Sequence, residues 1–202
     1  MVDLVTEQPP LIIMIIKHTD IYSLSDYGNH LKNLTEQDKR SRFGFLITDY
    51  AIDQLILRMI YHPNDHELWV ALEGEKIIGF GHMAKSKDDS WELAVSVDSN
   101  HQRKGIGDSL IGEMLVWAKF HHISQVFMHC IEENKVIQHL ATKHNLQTRE
   151  RGYGERTAAM EVPLPNLIEI NTQLIKEQAD IIQEISELRG KLIELWFKPK
   201  VK

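Results

Sequence analysis

Apolar residues recur along this chain with two different periods, and the switches between them set out an order of elements. Leu11 to Lys17 is a short Ile-rich run, the pattern of a buried strand. From about Ser23 to Thr35 the inward set Leu24, Leu31 and Leu34 predicts a helix. Thr48-Asp49 reads as a helix start. Behind it Ile52, Leu55, Ile56, Met59 and Ile60 share one face at three- and four-residue spacing, until Pro63-Asn64 ends the segment. Leu68–Leu72 and Lys76–Met83 are strand-like runs around Glu73-Gly74-Glu75, a hairpin signal. Trp91–Val97 alternates, with Trp91, Leu93, Val95 and Val97 on one face and Glu92, Ala94 and Ser96 on the other. Then follow a helix carrying Leu110, Ile111, Met114, Leu115 and Ala118, a strand Gln125–Ile131 apolar on both faces, a helix Asn134–His144 and a strand Thr157–Val162 that would close the sheet.

Pro163-Leu164-Pro165 marks a boundary, because proline neither donates to a ladder nor continues a helix. The expected organisation is a tail over 1–10, a domain over 11–163 and a helix over 164–202. In that last segment Leu167, Leu174, Ile181, Leu188 and Leu195 recur every seven residues. The positions four residues on are Asn171, Gln178, Ile185 and Leu192, which completes a heptad seam with its polar members in the first half. Such a helix, roughly 45 Å long, suggests a homo-oligomer paired through residues 167–197. Folding back over its own domain is the alternative.

Composition narrows the function. Lys and Arg number 23 against 29 Asp and Glu, a net charge of −6, which argues against nucleic acid as the main partner. The run Leu11–Ile16 is far shorter than the ~20 residues a membrane span needs, so no membrane partner is expected. Met1–Leu4 carries no basic n-region, and the default expectation is a cytoplasmic protein. Cys130 is the single cysteine, which excludes an intrachain disulfide and a cysteine zinc cluster. The eleven histidines contain no HExxH, and the His62/His66 pair is better read as solvated or packed, so no metal is expected.

The stretch richest in chemistry lies between a predicted strand and a predicted helix: Val97-Asp98-Ser99-Asn100-His101-Gln102-Arg103-Lys104-Gly105-Ile106-Gly107-Asp108. Gly105 and Gly107 remove side chains where backbone must turn sharply or approach a ligand. Successive N–H groups at a helix N-terminus, with its dipole, bind anions, and Arg103 and Lys104 add positive charge. A pyrophosphate is the natural guest. Taken alone, a glycine-containing turn with two solvated basic residues explains the same letters.

The surroundings favour the ligand. Gln102-Arg103-Lys104-Gly105-Ile106-Gly107 resembles the Q/R-x-x-G-x-G/A signature of the GNAT acyltransferases, where the acetyl-CoA pyrophosphate binds. It fits neither the dinucleotide fingerprint, since Leu110 stands at the third glycine position, nor a Walker A loop. The resemblance extends from about Leu11 to Val162: the strand Leu93–Val97 before the loop, Asn134 opening the next helix, and the exit Asn145-Leu146. It implies an α+β fold, a mostly antiparallel central sheet flanked by helices, here followed by the C-terminal heptad helix. It also implies main-chain contacts to acetyl-CoA from Val95, Ser96 and Val97, and cofactor contacts from Gln102 through Asp108 and from Asn134.

Trp91-Glu92-Leu93-Ala94-Val95 is most similar to a strand of the bacterial protein lysine acetyltransferases, which use that Glu as general base, and Glu133-Asn134 with Leu140-Ala141 suits the same branch. The implied reaction is direct attack of a primary amine on acetyl-CoA, with a protein lysine as the first expectation and Glu92 as base. Partial burial beside the small Ala94 and Ser96 would strengthen that base. Ala141 stands where many relatives have a tyrosine acid, but a thiol pKa near 8.5 makes thiolate a fair leaving group without it. Arg42-Phe43 echoes a segment near the acceptor in that branch. His82 and His101 are candidates for relay bases, with a polar strand-end or loop histidine the simpler account, and Cys130 reads as core rather than nucleophile. The alternatives are acetylation of a small amine, such as a polyamine or an antibiotic, and a non-catalytic acyl-CoA-binding oligomeric scaffold.

Overall fold

The computed structural model describes residues 14–19, 23–152 and 155–197. The tail over 1–10 and the first residues of the strand expected from Leu11 lie outside them. The elements run β1 (Met14–Thr19), α1 (Leu24–Asn33), α2 (Glu36–Phe43), α3 (Asp49–Tyr61), β2 (His66–Glu73), β3 (Lys76–Lys85), β4 (Trp91–Val97), α4 (Ile106–Phe120), β5 (Gln125–Ile131), α5 (Lys135–Lys143), β6 (Gln147–Gly152), β7 (Glu155–Glu161) and α6 (Leu167–Phe197). The chain divides after Pro163 into two compact units.

The first unit is a seven-stranded sheet in the order β1-β2-β3-β4-β5-β7-β6. Every neighbouring pair is antiparallel except β4 and β5. Both faces are covered, and the period-two alternation of the strands supplies the two cores. On one face Trp69, Met83 and Leu93 pack with Leu110, Ile111 and Met114 of α4. On the other, Leu68, Val70 and Phe80 pack with Tyr27 and Leu31 of α1 and Ile52 of α3. The hairpin turn between β2 and β3 uses Gly74 at φ +62°, as the sequence predicts.

Two features depart from the pattern of the sequence. α1 ends at Asn33, and a separate helix α2 follows, capped by the Thr35 hydroxyl, which accepts from the Asp38 amide at 3.1 Å. α2 buries none of its residues, so hydrophobic periodicity could not announce it. β7 does not close the sheet either. The polar strand Gln147–Gly152 lies outside it as the edge.

β4 and β5 position the site. Their ladder holds only at Trp91↔Val126 and Glu92↔Phe127. Beyond those two pairs β4 stays laddered to β3 as far as Val97, and β5 to β7 as far as Ile131. The edges of Leu93–Val97 and Met128–Ile131 that face each other are therefore unladdered, and a wedge opens toward the C-terminal ends of both strands.

The second unit is one helix of 31 residues, α6. Asn166 caps it: its Oδ1 accepts from the amides of Ile168 and Glu169 at 3.0 and 2.9 Å, and Glu169 Oε2 accepts from the Asn166 amide at 2.8 Å. This reciprocal capping box satisfies amides that the helix leaves without partners. Among the described residues no helix is long and apolar enough to cross a membrane.

Candidate active site

At the open end of the wedge the chain leaves β4 through a short turn, Ser99–His101, and enters α4. The turn is fastened from two sides. Gln102 Nε2 donates to the Val97 carbonyl at 3.2 Å and to Asp38 Oδ1 of α2 at 2.9 Å. Asp38 Oδ2 also accepts from the hydroxyls of Ser99 at 3.0 Å and Thr35 at 2.7 Å. Burial works to raise the Asp38 pKa, but the donors Thr35, Gln102 and Ser99 outweigh it and hold the carboxyl below its ordinary value. The unpredicted α2 thus braces the loop, and the Thr35-x-x-Asp38 spacing was its only sequence signal.

Gly105 is the N-cap of α4, at φ +83°. Among the described residues no side chain caps this terminus, so the first amides of α4 keep their hydrogen-bonding capacity. A Cβ at Gly105 would meet nothing within 4 Å, and one at Gly107 would touch Leu140 Cδ1 at 3.5 Å. Arg103, at φ +60°, and Lys104 are exposed beside it, while Ile106 is buried and anchors the helix start. Uncapped amides, a left-handed glycine and two exposed cations fit a diphosphate.

The other predicted cofactor residues lie around this point, with some side chains already engaged. Asn134 caps α5 by accepting from the Ile137 amide at 3.1 Å. Asp108 accepts from Lys143 Nζ at 2.7 Å and lies 3.0 Å from His144 Nε2. That arrangement ties α4 to the end of α5, and the Lys143 bond leads in keeping the Asp108 pKa low. The Ser96 hydroxyl is buried against His30 Nε2 at 2.9 Å. Only its main chain is left to face the wedge, together with those of Val95 and Val97.

At the closed end of the wedge, on the α1 side of the sheet, lies a cleft of about 450 Å³. Glu92, Ala94, His82, Ala84 and Phe127 line its floor, and Arg42, Phe43 and His66 are among its walls. Cross-strand register puts Glu92 opposite Ala84, and His82 opposite Ala94. Glu92 is half-buried there.

His82 is not the strand-end or loop residue expected. It sits within β3, buried, between the Tyr27 hydroxyl at 3.3 Å and His66 Nδ1 at 3.0 Å. Burial, reinforced by repulsion from Arg42 and His66, pushes its pKa well below the ordinary value. Burial also lowers the pKa of His66, and it raises that of Tyr27 despite Arg42. All three rings are therefore neutral near pH 7.

Arg42 Nη2 donates to the Tyr27 oxygen at 3.2 Å. Arginine can only donate, so the buried Tyr27 hydroxyl is free to give its own hydrogen to His82 Nδ1. His82 then donates from Nε2 to His66 Nδ1, and His66 is left with Nε2–H. The chain Arg42→Tyr27→His82→His66 is thus polarised in one direction.

His101 lies in the turn after β4, as expected of a loop histidine, and is buried there. Its Nε2 is 3.4 Å from Glu73, and its Nδ1 has no hydrogen bond among the described residues, the nearest Asp98 oxygen being 4.0 Å away. Cys130 is core, as expected, and burial raises its thiol pKa. Ala141 is fully buried, so no acid arises there. Among the described residues no group of three or more metal-ligating side chains converges.

The sequence over residues 31–145 matches the acetyltransferase (GNAT) family. Similar solved structures include the GNAT domain of PAT from S. lividans, with 12% identity and a TM-score of 0.60, covering 72% of this chain and 89% of that one. Spermidine N-acetyltransferase from Vibrio cholerae, solved with CoA and spermine, has 16% identity and a TM-score of 0.58, covering 74% and 95%. Ribosomal-protein-alanine N-acetyltransferase from Brucella melitensis has 16% identity and a TM-score of 0.55, covering 73% and 99%. At these identities the likeness establishes the fold, and the acceptors named for the second and third, spermidine and a ribosomal-protein alanine, belong to those proteins.

Proposed function

We propose that this chain, which belongs to the acetyltransferase (GNAT) family, transfers an acetyl group from acetyl-CoA to a primary amine, with the ε-amine of a protein lysine as the acceptor that the Trp91–Val95 strand favours. One observation carries the reading. The wedge between β4 and β5 has an uncapped, glycine-led helix start at its open end and a half-buried carboxylate in a cleft at its closed end.

The residues from Gln102 to Asp108, with Asn134 and the main chain of Val95–Val97, would hold the cofactor. The α4 amides take its diphosphate, and the unladdered strand edge takes the amides of its arm. Acetyl-CoA supplies an acetyl thioester, whose C–S bond breaks as the new C–N bond forms.

Glu92 does the proton work. A lysine-type amine, with a pKa near 10.4, arrives as an ammonium and must lose a proton to become nucleophilic. A carboxylate on the cleft floor, set among Ala84, Ala94 and Phe127, takes that proton at Oε. No phenol is needed to protonate the departing sulfur, since a thiol is acidic enough to leave as thiolate, and the second proton that the nitrogen loses on becoming an amide ends on that thiolate, giving the free thiol. The heptad on α6 supports pairing with a second copy of the chain through residues 167–197.

Thiol release from acetyl-CoA, measured over lysine peptides and small amines, tests the reading. Glu92→Gln should lower kcat by at least about a hundredfold, the scale of general-base catalysis, with the acetyl-CoA Kd unchanged. Undiminished turnover removes Glu92 from the mechanism. Acetyl-CoA binding with no thiol release on any amine would replace the transferase by an acyl-CoA-binding scaffold.

A further inference from the structure

The cleft around Glu92 does not share the net negative charge of the protein. The whole chain is at −6, yet Arg42, Arg58 and Lys85 line the cleft against only Asp65 and Glu92. Lys85 is already paired with Asp89 at 2.9 Å. Among the described residues neither arginine has a carboxylate partner. Arg42 is held in place, stacked at 4.8 Å over the Phe43 ring and bonded through Nη2 to Tyr27. Its Nε is buried and, among the described residues, has no hydrogen-bond partner. A buried guanidinium N–H without a protein partner is rare in folded proteins.

The histidines sharpen this. The polarised chain that begins at Arg42 leaves His66, which also lines the cleft, with an N–H to offer. Apart from Glu92 and Asp65, the ionisable side chains of the wall therefore present donors and positive charge. A polyamine would place a second ammonium against Arg42, a like-charge contact in a partly desolvated site. A carboxylate would be met by a planar fork of N–H donors, the geometry for which guanidinium is suited.

We propose that the acceptor is a primary amine that itself bears a carboxylate, which Arg42 binds while the amine lies at Glu92. The proposal rests on the transferase reading for the amine and on Arg42 for the anion. The shared chemistry has two sources, a small amino-carboxylate or a lysine beside an acidic residue in a peptide.

Matched acceptors test it on the full chain. Thiol release is compared for 6-aminohexanoate and 6-aminohexanamide, for an acetylated Lys-Glu peptide and its Lys-Gln counterpart, and for spermidine. The carboxylate member of at least one pair should have a kcat/KM at least tenfold higher than its amide, and which pair responds identifies the source. Arg42→Gln should bring that ratio to near one, as should the milder Arg58→Gln in part. A binding arm without cofactor reads the thermal shift given by 6-acetamidohexanoate against its amide, and only the carboxylate should stabilise the protein. Equal kcat/KM within each pair, a preference for spermidine, or a ratio that survives Arg42→Gln overturns the proposal and leaves the transferase standing. Absence of turnover on every amine refutes the transferase, and the binding arm then decides the anion site alone.

Discussion

Replacing Tyr27 with Phe removes one oxygen and nothing else. The ring stays packed against Phe80, at 5.1 Å between centroids, so no cavity opens. The loss falls on the two groups that the hydroxyl joins, His82 Nδ1 at 3.3 Å and Arg42 Nη2 at 3.2 Å. His82 is buried, so water cannot readily replace the lost donor, and an orphaned buried acceptor costs about 1–3 kcal/mol. Arg42 borders the cleft, where water can reach it, and adds less. The sum is about 2 kcal/mol. For a chain of this size that is a drop in Tm of about 4–8 °C. Urea unfolding should show the same loss as a lower midpoint at unchanged slope. Tyr50→Phe is the control, because Tyr50 is 73% exposed and should move stability by less than about 0.5 kcal/mol. If Tyr27→Phe were as silent as the control, the polarised chain from Arg42 to His66 would not exist as described.

The remaining predictions concern the loop, the histidines and the tail. Gly105→Ala adds a methyl that meets nothing within 4 Å, so its cost is the φ +83° backbone alone, about 1–2 kcal/mol. It should also weaken acetyl-CoA about tenfold by calorimetry, whereas Gly107→Ala should leave stability within about 1 kcal/mol of the parent. Equal effects would show that the left-handed turn is not required. His30, His66 and His82 all have folded pKa values below 6.5, chiefly through burial, with Asp98 opposing the shift at His30. The unfolded chain therefore takes up protons first as pH falls, so stability is full above pH 6.5 and declines below it. The carboxylates held low, Asp38 and Asp108, act only below their ordinary 3.8. Denaturant melts that stay flat from pH 7.5 to 5 would contradict the burial argument. A chain ending at Pro165 should sediment as a monomer and the full chain as an oligomer, and equal masses would refute pairing through the heptads.

Much of this architecture is legible in the sequence because burial writes it there. The alternation through Trp91–Val97 and the one-sided helix behind Thr48 both come from faces that pack against a core. α2 and β6 left no such trace. The first buries nothing, and the second is a polar edge strand held by backbone bonds to β7. The glycine loop was legible because its letters are unusual. Its brace, Asp38, was not, since the contact spans 64 residues of sequence. The position of His82 is hidden for a related reason. A histidine between Gly81 and Met83 looks like a strand end until Tyr27, 55 residues away, supplies the partner that makes its burial affordable.

The most direct test of the account is titration calorimetry of the purified chain with acetyl-CoA. One saturable site per chain, weakened by added salt and by Gly105→Ala but unaffected by Glu92→Gln, is what a diphosphate cradle at the α4 terminus predicts. No heat of binding, or binding that ignores Gly105 and falls with Glu92, would contradict it.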